Sequence, residues 1–150
     1  MKLFKLVIFS LLANLAASAF AADNPADAIA MVEKGLSYIQ KNSKEALIKE
    51  INNKNPEFIN GDIYLGVRAM DGTQLAHATN PKLVGKNMVS LPDGNGKFFR
   101  KEIIELAQTK GKGWVDYRYN NPATKEMEDK STYIVRSGDV ILEAGIYKGK

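Results

Sequence analysis

The chain has no cysteine, and only one histidine and one tryptophan among its 150 residues. The missing thiols exclude disulfides, cysteine nucleophiles and Cys-ligated metals. Stability must therefore come from a packed core. With His77 as the single imidazole, a conventional zinc site would need carboxylates at ligand spacing, and the sequence offers none. Ser90, Ser131 and Ser137 all lie outside a Gly-x-Ser-x-Gly elbow, so no serine triad is expected. Asp93-Gly94-Asn95-Gly96 looks like the start of a calcium loop. Lys97 then stands where a fifth-position ligand belongs, and Ile104 where a bidentate Glu is needed. A glycine-rich turn is the better reading. There is no run of Lys and Arg to mark a nucleic-acid footprint, and no internal repeat. The expectation is a protein that is not an enzyme, with no metal and no cofactor.

The N-terminus has a distinct composition. Lys2 and Lys5 give a positive start, residues 6–12 are apolar except for Ser10, and Ala19-Phe20-Ala21 forms a small-x-small site. This three-part layout predicts a signal peptide over residues 1–21 and a mature domain over residues 22–150. The alternative, an uncleaved anchor, would rest on residues 6–22. That run is interrupted by Ser10, Asn14 and Ser18 and is at the short limit for a span. Cleavage would leave 19 Lys and Arg against 17 Asp and Glu, so much of the basic character belongs to the leader. The expected location is the periplasm or the medium beyond.

Asn24-Pro25 reads as a helix start, with Asp27 near the positive end of the helix dipole. Ile29, Val32, Leu36, Ile39, Ala46, Leu47 and Ile51 form one helical stripe, with weak points at Gly35 and Asn42-Ser43. The stripe predicts a core-facing helix, with a homodimer or partner face as the rival use. Alternation over residues 63–69, then Asp71-Gly72, then a second run over 73–79 predicts a hairpin. Residues 82–96 read as a loop and residues 97–110 as a helix stopped by Gly111. Alternating strands follow over residues 113–119 and 130–136, and a largely apolar strand over 140–147 suits the middle of a sheet. Five strands with short links predict an α+β fold, an antiparallel sheet with helices on one face.

The strand Gly113-Trp114-Val115-Asp116-Tyr117-Arg118-Tyr119 is the most aromatic stretch and the expected wall of a small-molecule pocket. Trp114, Tyr117 and Tyr133 would supply apolar walls with polar tips, and Lys130 a charge for an anion. Arg68, inside the first strand, reads as a residue of the solvated face. His77, near a strand end, reads as a hydrogen-bonded structural residue.

The order of short motifs resembles the single Cache sensor domain, a PAS-like extracellular module of bacterial chemoreceptors and histidine kinases. The motifs are Asp71-Gly72, Leu75-Ala76-His77, Leu83-Val84-Gly85-Lys86 and Asp93-Gly94-Asn95-Gly96-Lys97-Phe98, then Gly113-Trp114-Val115-Asp116-Tyr117, Asn121-Pro122, Lys130-Ser131-x-Tyr133 and Gly145-Ile146-Tyr147. The resemblance covers residues 26–147. It implies a PAS-like fold, a five-stranded antiparallel sheet with a long N-terminal helix and a second helix packed on it. It also implies a ligand pocket on the sheet for a short organic acid, with His77, Trp114, Tyr117, Lys130 and Tyr133 as binding residues and Lys130 on the carboxylate. Two departures stand out. The family often places Pro after the His, where this chain has Ala78. Its receptors continue into a transmembrane helix, whereas this sequence ends three residues after Tyr147. An exported binding module acting through a membrane receptor or kinase partner is therefore expected. The alternative is a periplasmic interaction or dimerisation module without a ligand.

Overall fold

The computed structural model describes residues 24–149, so the expected signal peptide lies outside the described residues. Helix α1 (Pro25–Lys41) starts where the Asn24 side chain accepts the Ala26 N–H, with Pro25 in the first turn. The long stripe is one surface built from two helices. The chain breaks at Asn42-Ser43, and α2 (Lys44–Asn52) restarts with the Ser43 hydroxyl accepting the Ala46 N–H. Gly35 does not bend α1. It is there because the helix lies close to the sheet: a Cβ would stand 2.7 Å from Leu65 Cδ2 and 2.8 Å from Leu142 Cδ2.

Six strands form an antiparallel sheet: β1 (Ile59–Asn60), β2 (Ile63–Ala69), β3 (Gln74–His77), β4 (Lys112–Asn120), β5 (Met127–Ser137) and β6 (Val140–Tyr147). The order is β1-β2-β6-β5-β4, and β3 pairs with β2 as the expected hairpin across Gly72, whose φ is +96°. The two-residue β1 is the strand that alternation could not reveal, being too short to show a period. Helix α3 (Phe99–Thr109) leads into β4. No helix among the described residues is long and apolar enough to cross a membrane.

The helices are not on one face, as the sequence suggested. Alternate residues of β5 and β6 feed two separate cores. Leu142, Ala144 and Val135 pack with α1 and α2, while Ile141 and Ile134 pack with α3 through Phe99, Ile103 and Ala107. Strand β6 is apolar on nearly every residue because both of its faces are covered. The inward stripe of α1 is used up against the sheet through Ala28, Met31 and Val32. The outward residues Asp27, Glu33, Lys34, Ser37, Gln40 and Lys41 are exposed and polar or charged. The homodimer expected through this helix therefore finds no unpartnered apolar stripe among the described residues.

The outer edge of β4 is closed by the turn at residues 93–97. Asp93 Oδ1 accepts the N–H groups of Asn95 and Lys97, and its Oδ2 accepts the Arg118 N–H at 2.9 Å. Lys97 Nζ donates to the Asp116 carbonyl. The motif that looked like a calcium loop is an Asx turn that binds backbone.

Filling the contact at Gly35 tests the two-layer arrangement. Gly35→Val should destabilise the protein by about 1–3 kcal/mol through overpacking against Leu65 and Leu142. The denaturant midpoint should fall with the slope unchanged.

Candidate functional site

The α3 face of the sheet carries a small cavity between the strands, the first turn of α3 and the loop after β3. Its volume is about 30 Å³. Strand register sets its floor. Tyr117, Lys130 and Tyr147 stand in one row across β4, β5 and β6, and Glu143, Gly66 and His77 in another across β6, β2 and β3. Gly145 occupies the floor beside Lys130. A Cβ there would lie 2.5 Å from Lys130 Cε and 2.4 Å from Thr132 Oγ1, so the missing side chain is what lets the lysine stem lie flat.

Lys130 is 4% exposed, and its ammonium is held among tyrosines. It donates to the Tyr64 hydroxyl at 2.8 Å and to the Tyr147 hydroxyl at 3.3 Å. It also lies 4.4 Å from the Tyr64 ring, 4.6 Å from that of Tyr147 and 5.2 Å from that of Tyr119. The ring faces offset part of the desolvation cost of the charge. Burial pushes the Tyr64 and Tyr147 phenols well above their usual range, so both are neutral hydroxyls. Tyr117 stacks on Phe99 with ring centres 3.8 Å apart, and its hydroxyl pairs with Thr132 at 2.8 Å.

Arg68 is buried, contrary to the solvated-face reading. Its NH2 group donates to Glu143 Oε1 at 2.8 Å and its Nε to Oε2 at 3.2 Å. Gln74 Nε2 adds a third bond to Glu143 Oε1. Burial works to raise the Glu143 carboxyl, but the Arg68 charge and the bonds from Arg68 and Gln74 outweigh it and hold it below its ordinary value. Glu143 is thus an anion tied to Arg68 and is the only acidic residue lining the cavity among the described residues. The signal was present in the sequence as a lone glutamate inside the apolar run 140–147 and an arginine inside 63–69. Neither is informative without the register that pairs their strands.

His77 Nδ1 accepts the Asn80 N–H at 3.0 Å, which leaves the ring proton on Nε2. The imidazole sits 4.9 Å from the Tyr64 ring. Burial is the main reason its pKa is lowered to about 4, and the Lys130 and Arg68 charges add to the effect while Glu143 opposes it.

Of the five residues singled out from the sequence, His77, Tyr117 and Lys130 meet at this cavity. Trp114 and Tyr133 do not. They pair with each other across β4 and β5, ring centres 5.2 Å apart, on the opposite face of the sheet. The reason is the period of two: Trp114 and Tyr117 have opposite parity, as do Lys130 and Tyr133. Trp114 is 37% exposed, at the outer strand that α1 does not reach. Tyr64, Arg68, Arg100, Tyr119 and Glu143 line the cavity instead and were not foreseen.

The family model of the Cache domain matches residues 23–140. The chain belongs to the Cache domain family. The Cache chain is 27% identical over 88 residues to the methyl-accepting chemotaxis protein McpP of Pseudomonas putida, a match covering 57% of this chain but 16% of that receptor. Among solved structures, a methyl-accepting chemotaxis protein from Vibrio parahaemolyticus superposes with a TM-score of 0.69 at 22% identity, covering 81% of this chain and 86% of that one. A Cache chemosensory domain described in terms of carboxylic acid recognition gives 0.66 at 23% identity, covering 83% and 88%. A periplasmic sensor domain of a chemotaxis protein gives 0.65 at 20% identity, covering 83% and 90%. At these identities the superpositions establish the fold.

The depressed His77 pKa has a definite sign. An unfolded imidazole titrates near ~6.5, so between that value and about 4 the unfolded chain binds more protons than the folded one. The contribution is fully present above the unfolded pKa and is lost as pH falls towards the folded one. It amounts to roughly 3.4 kcal/mol at most, at about 1.4 kcal/mol per pH unit. Denaturant melts of parent and His77→Gln from pH 7.5 to 4.5 should converge as pH falls, the parent losing stability faster.

Proposed function

We propose that this Cache domain is an exported sensor-type binding module that takes a short monocarboxylate into the cavity on the α3 face of the sheet. The observation that carries the reading is the Lys130 ammonium, buried on the cavity floor and positioned by the Tyr64 and Tyr147 hydroxyls. A carboxylate meeting it would form a charge-assisted hydrogen bond out of water, where such bonds are strongest. The carbon skeleton would lie against Tyr117 and Phe99, and the neutral His77 would offer an Nε2 proton. The cavity holds two or three water-sized groups at roughly 10–15 Å³ each. That favours a very short skeleton, with larger acids requiring the loop carrying Leu83 and Met88 to move outward. One fold neighbour was described as recognising carboxylic acids, which agrees with this reading.

The remaining features of the proposal follow from export. The signal peptide over residues 1–21 would deliver the domain to the periplasm, where a membrane receptor or kinase would read its occupied state. No catalytic role is assigned to the cavity: its cations and hydroxyls bind and orient, and its one imidazole has Nδ1 committed to the backbone.

Calorimetric titration with acetate and propionate tests the site. Lys130→Met keeps much of the stem and deletes the charge, so affinity should fall by about 1.5–3 kcal/mol, or roughly 10- to 150-fold. Acetamide and propionamide should bind far more weakly than the acids. Equal affinities of parent and variant would remove Lys130 from the site, and tight binding of the amides would remove the anion pairing.

A further inference from the structure

The cavity holds a second cation that the reading above does not use. Arg100 is at the second position of α3, whose start is capped by no side chain. It is 7% exposed and lines the cavity. Its Nε is buried without a hydrogen-bond partner. One NH1 bond runs to the Leu91 carbonyl at a long 3.3 Å, and the guanidinium lies 4.2 Å from the Phe99 ring centre.

The balance is unfavourable for the empty protein. The Phe99 ring offsets part of the desolvation cost of the guanidinium, but the buried Nε–H is left without a partner. The start of a helix is the positive end of its dipole and repels a cation. Glu102, the acid in the first turn, is turned outward to Lys97 at 2.8 Å. Arg68 adds a like charge across the cavity, and burial together with that charge works against the protonated form of Arg100. Glu143, the one carboxylate lining the cavity among the described residues, is already bound by Arg68 and Gln74. Among the described residues, the cavity lining therefore carries Arg68, Arg100 and Lys130 against Glu143. Arg100 and Lys130 also share a neighbour: the Tyr119 ring stands 5.2 Å from the Lys130 ammonium, and its phenol is hydrogen-bonded by the Arg100 side chain, which leaves the Arg100 Nε as the group without a partner.

Resting on the carboxylate reading of this cavity, we infer that Arg100 is a second anion contact, so that a bound carboxylate bridges the Lys130 ammonium on the sheet and the Arg100 guanidinium on α3. One carboxylate oxygen accepts from each cation, and the orphaned Nε gains its partner. Arg100 also holds the Leu91 carbonyl, so the same side chain joins the ligand to the loop that runs from β3 to α3. Occupancy would then stiffen that loop, because the guanidinium is fixed at both ends. The empty protein carries the cost of a misfit cation, and the ligand removes it.

The test uses the purified protein, Arg100→Met and Lys130→Met, with sodium acetate and propionate as probes. Arg100→Met should bind the better probe at least about tenfold more weakly than the parent. Without ligand it should melt a few degrees higher, since removal of a buried cation with an unmet N–H relieves strain on the empty fold. The ligand should slow amide exchange at residues 88–98 in the parent and not in Arg100→Met. Arg100→Lys, which keeps the charge without the planar fork, should recover only part of the affinity. If Arg100→Met binds like the parent while Lys130→Met does not, the bridge is overturned and the carboxylate site stands. If the empty Arg100→Met melts at or below the parent, the guanidinium is satisfied by the fold and the inference fails. If neither acid binds the parent, the carboxylate reading falls and the bridge with it.

Discussion

Strand β6 is the constraint on which everything else depends. It lies between β2 and β5 and is covered on both sides. Its alternate residues therefore belong to two layers with different chemistry. Leu142, Ala144 and Ile146 meet α1 and α2 in an apolar layer, whereas Ile141, Glu143, Gly145 and Tyr147 face the α3 side. A one-residue slip in its pairing would exchange the two sets and place Glu143 beneath α1. The register that builds the core thus also builds the cavity.

On the α3 side the charges are held in different ways. Arg68, Glu143 and Gln74 satisfy one another and fix the geometry of β2 against β6. Lys130 is positioned by hydroxyls and ring faces. In a small dry space its charge is worth far more than in water. The close approach over Gly145 makes this arrangement sterically possible.

Much of the fold was legible because local chemistry and tertiary structure agree. The hairpin across Asp71-Gly72, the limits of β6 and the stop at Gly111 all rest on neighbours in sequence. The cavity was legible in part. Tyr117 and Lys130 came from the strand pattern and again from the resemblance to Cache domains, and His77 from the resemblance alone, while the alternation already in the sequence separates Trp114 from Tyr117 and Tyr133 from Lys130. Grouping all of them in one pocket went against parity, and the sheet obeys parity. Arg68 and Arg100 were out of reach for another reason. An arginine in a strand or in the first turn of an amphipathic helix normally reaches water, and only cover from distant segments buries these two.

The Asx turn at Asp93 bears on how the molecule behaves in a crowded compartment. An outermost strand nine residues long, with a ring as large as Trp114 on it, is a template on which a neighbouring chain could grow. Asp93 occupies the Arg118 N–H and Lys97 the Asp116 carbonyl, so two neighbouring groups of the edge are taken from any new ladder. The bond from the Arg118 N–H is the first cause that holds the Asp93 carboxyl below its ordinary value, so acceptor strength survives into mildly acidic surroundings. A turn of five residues thereby acts as a selvedge, finishing one stretch of the sheet's open side.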